Sequence, residues 1–199
     1  MSDRLLRRAA LTLGIFLMVS GPVVAFENDY PALFEAHADK VNMAQPGLRR
    51  LELPGPVVIE EITHSNGTRT YRASDQSGLG AAGCGFGLLV DLVVRSGFCE
   101  GMLSRSQHSE LEAHLWRVAR FVGDNAYPRM SEDAIRPALV DRLQFRSEAY
   151  ISSDVGGCPQ DDAGTQDLAE MAKNLSGPAG QAAIDRLVSL PRLPVMDPC

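Results

Sequence analysis

The sequence predicts an α+β fold, mostly helical, with one β-hairpin on its N-terminal side and two disulfides. Three observations support that class. An Asn-Gly pair near residue 66 separates two β-branched runs, helical apolar periodicity recurs after residue 88, and four cysteines are spread over the chain. At 45% hydrophobic and 22% charged, the chain has the balance of a packed globular domain rather than of a disordered one.

The elements follow in order. Asp29 is placed to cap a helix over Tyr30–Val41, with Pro31 tolerated in the first turn and Leu33, Phe34, His37 and Val41 on one side. Gln45-Pro46-Gly47 ends it. Pro56–His64 and Thr68–Ala73 read as two strands joined by a two-residue type I′ turn at Asn66-Gly67. Val57, Ile59, Glu61 and Thr63 share one strand face, and Val58, Glu60, Ile62 and His64 the other. Neither face is cleanly apolar, so one side is expected on helices and the other partly wet.

Ser74–Gly87, rich in glycine and alanine, reads as a loop, and Leu88–Val94 as a buried helix. The strongest amphipathic helix begins after Ser106 or Ser109, where Ser109 and Glu112 fit a capping box. Its stripe is Leu111, Leu115, Val118, Ala119 and Val122, and Gly123 and Pro128 bracket its end. Another helix is expected after Ser131, whose next two residues are acidic, with Pro137 confined to its early turns. Two more are expected near Gln166–Leu175 and Pro178–Leu190, before an extended tail from Pro191.

Residues 1–25 have the layout of an export signal. Arg4, Arg7 and Arg8 give a basic start, Ala9–Val19 an apolar run, Gly21-Pro22 a break and Val23-Val24-Ala25 a small-residue cleavage pattern. The apolar run falls short of the roughly 20 residues a bilayer span needs, so no stable membrane span is expected after cleavage. Removing 25 of 199 residues leaves 174, suited to one domain over 26–199. The leader carries three arginines and Asp3, so its loss moves the net charge from −6 to −8. With Lys40 and Lys173 its only lysines, such a chain lacks the basic footprint that nucleic acid or an anionic membrane would need. Periplasmic or secreted localisation by the general secretory route is expected. A twin-arginine signal would place a bulky apolar residue where Ala10 stands.

An oxidising compartment lets Cys84, Cys99, Cys158 and Cys199 pair. No two of them have the C-x-x-C spacing of redox, zinc or haem motifs. Three pairings are open, and Cys84–Cys99 with Cys158–Cys199 is preferred because each pair flanks a self-contained stretch.

Candidate sites are sparse. Gly78–Gly83 spells G-x-G-x-x-G without a βαβ context, so no dinucleotide cofactor, nor any other, is expected. His108 with Glu112 and Glu110 with His114 are i, i+4 pairs, but the two histidines lie about 120° apart on a helix and do not converge on a metal. His37 reads as a core residue and His64 as a solvated one. Asp154, Asp161, Asp162 and Asp167 lack the order of a calcium loop. There is neither G-x-S-x-G nor Ser-x-x-Lys. Trp116 lies off its helix's main stripe, and with Arg117 and Arg120 as a polar rim it is the expected binding site. The leading expectation is an exported, non-catalytic protein that binds an envelope protein or a small ligand. The alternatives are an envelope hydrolase using His37, His64, His108 or His114 with an acidic neighbour, and an assembly component linked through Cys199.

Overall fold

A computed structural model describes residues 26–152, 158 and 163–199. The leader over 1–25 and three of the four aspartates of the acidic cluster, Asp154, Asp161 and Asp162, lie outside the described residues. Among these residues six helices and one four-stranded antiparallel sheet make an α+β, mostly helical architecture. No described helix is long and apolar enough to cross a membrane.

Helix α1, Tyr30–Ala36, starts as its sequence dictates, with the Asp29 side chain accepting from the Ala32 amide at 3.0 Å. It stops sooner than periodicity suggested: His37 leaves helical geometry and a single 3₁₀ turn, Ala38–Lys40, follows. The chain then enters a four-strand meander, β1 (Asn42–Gln45), β2 (Leu48–Leu53), β3 (Val57–Thr63) and β4 (Arg69–Asp75), paired in sequence order. Only β3 and β4 were expected. Pro46-Gly47 does not merely terminate a helix; it reverses the chain between β1 and β2. Strand β1 is exposed throughout and carries no alternation, which is why the sequence did not announce it.

The β3–β4 connection is also corrected in detail. His64 and Thr68 still pair, with the His64 amide donating to the Thr68 carbonyl at 2.9 Å, so the loop is Ser65-Asn66-Gly67. Gly67 takes φ +81° while Asn66 keeps a negative φ, and the Gly67 amide donates to the His64 carbonyl at 2.9 Å. This is a three-residue loop with glycine in the left-handed position rather than a type I′ turn. Asn66 earns its place through its side chain, whose oxygen accepts from the Thr68 amide at 3.0 Å and the Thr68 hydroxyl at 2.7 Å.

Helix α2, Ala82–Phe98, begins six residues before the expected start at Leu88, inside the stretch read as loop. Glycine normally weakens a helix, but Gly83 is demanded by close approach of backbone, and Gly85 gives room to a neighbouring side chain. A Cβ at Gly83 would sit 2.7 Å from the Val195 carbonyl oxygen, and one at Gly85 2.8 Å from the Leu187 side chain. Helix α3, Arg105–Asn125, is capped by Ser104, whose hydroxyl accepts from the Gln107 amide while Gln107 bonds back to the Ser104 amide. The capping box is therefore Ser104/Gln107 and not Ser109/Glu112; Gln serves at the third position as well as Glu does. All five stripe residues, Leu111, Leu115, Val118, Ala119 and Val122, are buried.

Helices α4 (Glu132–Ser152), α5 (Ala163–Leu175) and α6 (Pro178–Leu187) follow, α4 with Pro137 in its second turn. They close a core against α2 and α3 through Ile135, Leu139, Ala172, Ile184 and Leu187. A second, smaller core joins Leu33 and Phe34 of α1 to Leu51, Val57 and Ile59 of the sheet and Leu193 and Val195 of the tail.

That tail is a strap. The Asn28 side chain donates to the Pro194 carbonyl at 2.7 Å, the Gly83 amide to Val195 at 3.0 Å and the Asp75 amide to Asp197 at 2.8 Å. Arg192 and Asp75 form a fully buried ion pair, 0% and 1% exposed. The same guanidinium donates to the carbonyls of Leu187, Leu190 and Gly80.

The disulfides form, but with the other partners: Cys84–Cys199 and Cys99–Cys158, each with 5.4 Å between Cα atoms. The expected Cys84–Cys99 bridge is impossible once Cys84 stands in the first turn of α2 and Cys99 caps its end. Fifteen residues of helix separate them by about 22 Å, and a disulfide tolerates about 7 Å at most. Excluding that pair also excludes Cys158–Cys199. The first bridge pins the tail to the first turn of α2, and the second pins the end of α2 to the segment after α4.

Candidate functional site

The expected binding residues lie on one side of α3 and are already engaged. Arg136 of α4 stacks over the Trp116 ring at 4.6 Å, and Trp116 packs partly against the helical core. Arg117 is ion-paired with Asp185 of α6, and Arg120 lies 3.5 Å from Glu132 of α4. As placed, the three tie α3 to its neighbours.

The histidines are dispersed. His37, half-buried, ends α1 instead of sitting in its core. His64 meets the Thr70 hydroxyl at 2.9 Å on an exposed surface. His114 is buried, and that burial holds its pKa below the ordinary imidazole value. His108 has the arrangement nearest to hydrolytic machinery: Nδ1 is 2.8 Å from the Ser96 hydroxyl and Nε2 3.4 Å from Glu112. Ser96, however, stands in the last turn of α2, where the helix presents the negative end of its dipole. An oxyanion needs the opposite polarity. No grouping of three His, Cys, Asp or Glu side chains suited to a metal occurs among the described residues. Strand β4 does run into Gly78–Gly83 and then α2, but the sheet is antiparallel, and the Gly80 carbonyl is held by Arg192. All four cysteines are paired within the chain, so Cys199 has no thiol for a link between chains.

Arg120 also lines a pocket of about 450 Å³ between α3 and the start of α4, but a site outside these expectations brings more buried charge together. It is a cleft of about 440 Å³ between α1 and the inner face of the sheet. Register builds its floor: Met43, Arg49, Glu61 and Tyr71 lie directly opposite one another on successive strands. Cross-strand neighbours project to the same face, so the row converges under α1. Glu61 is 2% exposed. Its Oε1 faces Arg49 Nε at 3.1 Å, and its Oε2 accepts from the Tyr71 hydroxyl at 2.9 Å and faces Arg69 Nη1 at 3.7 Å. Burial, together with the bond to the Glu61 carboxylate and its charge, pushes the Tyr71 pKa up, although Arg69 opposes this. Tyr71 therefore remains a protonated donor.

Two guanidinium groups thus serve one carboxylate. The Arg49 Nε–H is buried and misaligned with Glu61, and it makes no hydrogen bond among the described residues. Arg49 also stacks over Phe34 at 5.1 Å, while Phe34 and Tyr30 bracket the Tyr71 ring. Val41, Pro31 and the 68%-exposed Met43 form an apolar lip, with Glu35 on the α1 side. Chemically, the cleft offers surplus N–H donors beside apolar surface. Its signal in the sequence was weak: Glu61 sits on the same face as Val57 and Ile59, a charge at an otherwise core-facing position. Arg49 and Arg69 could not be assigned to it without β2 and the pairing register.

No protein family, curated protein or solved structure matches this chain.

Proposed function

We propose that this is an exported, non-catalytic binding protein of the periplasm or extracellular space. Its cleft between α1 and the sheet receives an anionic group carried by an envelope protein or a small ligand. The observation that carries the reading is Glu61, a buried carboxylate set between Arg49 and Arg69 at a position in line with the buried Val57 and Ile59 of its strand. Desolvating such a group costs several kcal/mol, and an apolar residue would fill the position more cheaply. Here it holds two guanidinium groups in place, whose terminal N–H groups outnumber what one carboxylate can accept. Arginine forks are well matched to carboxylates, and the lip of Pro31, Val41 and Met43 suits an apolar neighbour of the charge.

Titration of ¹⁵N-labelled protein with acetyl-Leu-Glu-amide tests the site. Saturable shifts of the Arg49 and Arg69 Nε–H signals are expected, absent in Arg49→Met. No saturable shift at either arginine up to millimolar peptide would overturn the proposal. Export has its own test: N-terminal sequencing of natively produced protein should start at Phe26, and retention of Met1 would exclude cleavage.

A second reading, an envelope hydrolase, is favoured only by the Ser96–His108–Glu112 contacts. Labelling of Ser96 by a fluorophosphonate, abolished in His108→Ala, would establish it.

A further inference from the structure

On the other side of Tyr30 lies a second cavity, of about 390 Å³, independent of the cleft proposed above. Its walls come from the N-terminal segment, α2, α3, α4 and the strap, and they are mostly aromatic or aliphatic. Phe86, Val122, Val195 and Tyr30 line it, and Phe26 packs on Phe86 with ring centroids 4.7 Å apart. Two features of the cavity have no account among the described residues.

The first is Gly87. It lies inside α2, where glycine is unfavourable by about 1 kcal/mol relative to alanine. Gly83 is required by the Val195 carbonyl and a Cβ at Gly85 would press on the Leu187 side chain, but a Cβ at Gly87 would meet nothing within 4 Å. Its missing side chain leaves space open in the cavity wall. The second is Arg142 of α4. It is half-buried against this apolar lining and forms no ion pair among the described residues. Asn28, the other inward polar group, is spent on the walls: it donates to Pro194 and accepts from the Tyr127 amide at 2.9 Å. Glu27 lines the exposed rim without pairing to Arg142.

The geometry points to a binding site for an amphiphilic monoanion, a medium-chain alkyl carboxylate. The alkyl chain lies along the Gly87 wall and the carboxylate meets Arg142. An apolar cavity of this size with a cation in its wall is the usual make-up of a small-molecule site. The chain gains by leaving water, and the head group supplies the charge that Arg142 lacks.

Calorimetric titration of the disulfide-intact protein with decanoate, and with decanol as the uncharged control, tests this. Decanoate should bind with a micromolar Kd and decanol at least tenfold more weakly. Arg142→Met should weaken decanoate at least tenfold and leave decanol unchanged. Gly87→Leu should abolish both while raising the unfolding temperature by a few degrees, since it fills open space and favours the helix. That rise also shows that lost binding is not lost folding. Absence of decanoate binding at 1 mM, or wild-type affinity in either variant, overturns the proposal. Neither outcome bears on Arg49, Arg69 or the acidic peptide.

Discussion

Replacing Arg192 by methionine should be among the most damaging single changes in this protein. Arg192 and Asp75 are buried to 0% and 1% exposure, so the variant leaves a carboxylate inside the protein without its counter-ion. The three carbonyls of Leu187, Leu190 and Gly80 also lose a donor. Breaking a buried pair by removing one partner costs about 3–5 kcal/mol. For a domain of this size that is a fall of roughly 6–20 °C in unfolding temperature.

A double-mutant cycle with Asp75→Asn isolates the pair, because asparagine can still accept from the Ser77 amide, which Asp75 binds at 2.8 Å. The coupling read from urea midpoints should be about 2 kcal/mol. The acid limb supplies an independent check. Burial alone would raise the Asp75 pKa, but hydrogen bonds from Arg192 and Ser77 outweigh it and hold the carboxyl below its ordinary value. A depressed folded-state pKa means the contribution is whole above the unfolded value, near 3.9, and is lost as pH falls through the folded one. Stability should therefore be insensitive to this pair between pH 7 and 5 and decline below about pH 4, a component missing from Asp75→Asn. A cost under about 1 kcal/mol for Arg192→Met, or simple additivity in the double variant, would refute a coupled buried pair.

Three further outcomes are expected. Ser104→Ala should lose about 1 kcal/mol in chemical denaturation whereas Ser109→Ala stays within a few tenths, since only Ser104 caps α3; equal losses would restore the capping box at Ser109. Non-reducing peptide mapping should recover Cys84–Cys199 and Cys99–Cys158, and removing either bridge should cost about 4–5 kcal/mol, given loops of 115 and 59 residues. Gly180→Ala should destabilise by about 3 kcal/mol, because its Cβ would fall 1.9 Å from the Leu175 carbonyl oxygen; unchanged thermal stability would contradict that packing.

Where chain-local chemistry and tertiary environment agreed, the elements were legible in advance. The stripe from Leu111 to Val122, the Asp29 cap and the Glu132-Asp133 start of α4 each depend on neighbours within a few turns. The failures share one cause. Gly83 and Gly85 looked like loop residues because the Val195 carbonyl and Leu187 that pack against them lie over a hundred residues away. Strand β1 has no burial pattern of its own and exists because β2 pairs with it. Trp116, off its helix's main stripe, could pack on another element or stand exposed as an anchor, and only the fold sets Arg136 over one of its faces.

From the sequence alone came the class of fold, the hairpin at Asn66-Gly67, the buried face of α3 and the capacity for two disulfides. These follow from turn chemistry, periodicity and cysteine count, all properties of short stretches of chain. Which cysteines join, and which side chains meet around Glu61 and Arg142, was decided only in three dimensions. Helix rise separates Cys84 from Cys99, strand register aligns Arg49, Glu61 and Tyr71, and the returning strap closes the second cavity. Contacts between residues remote in sequence depend on register and crossing geometry, which local composition does not encode.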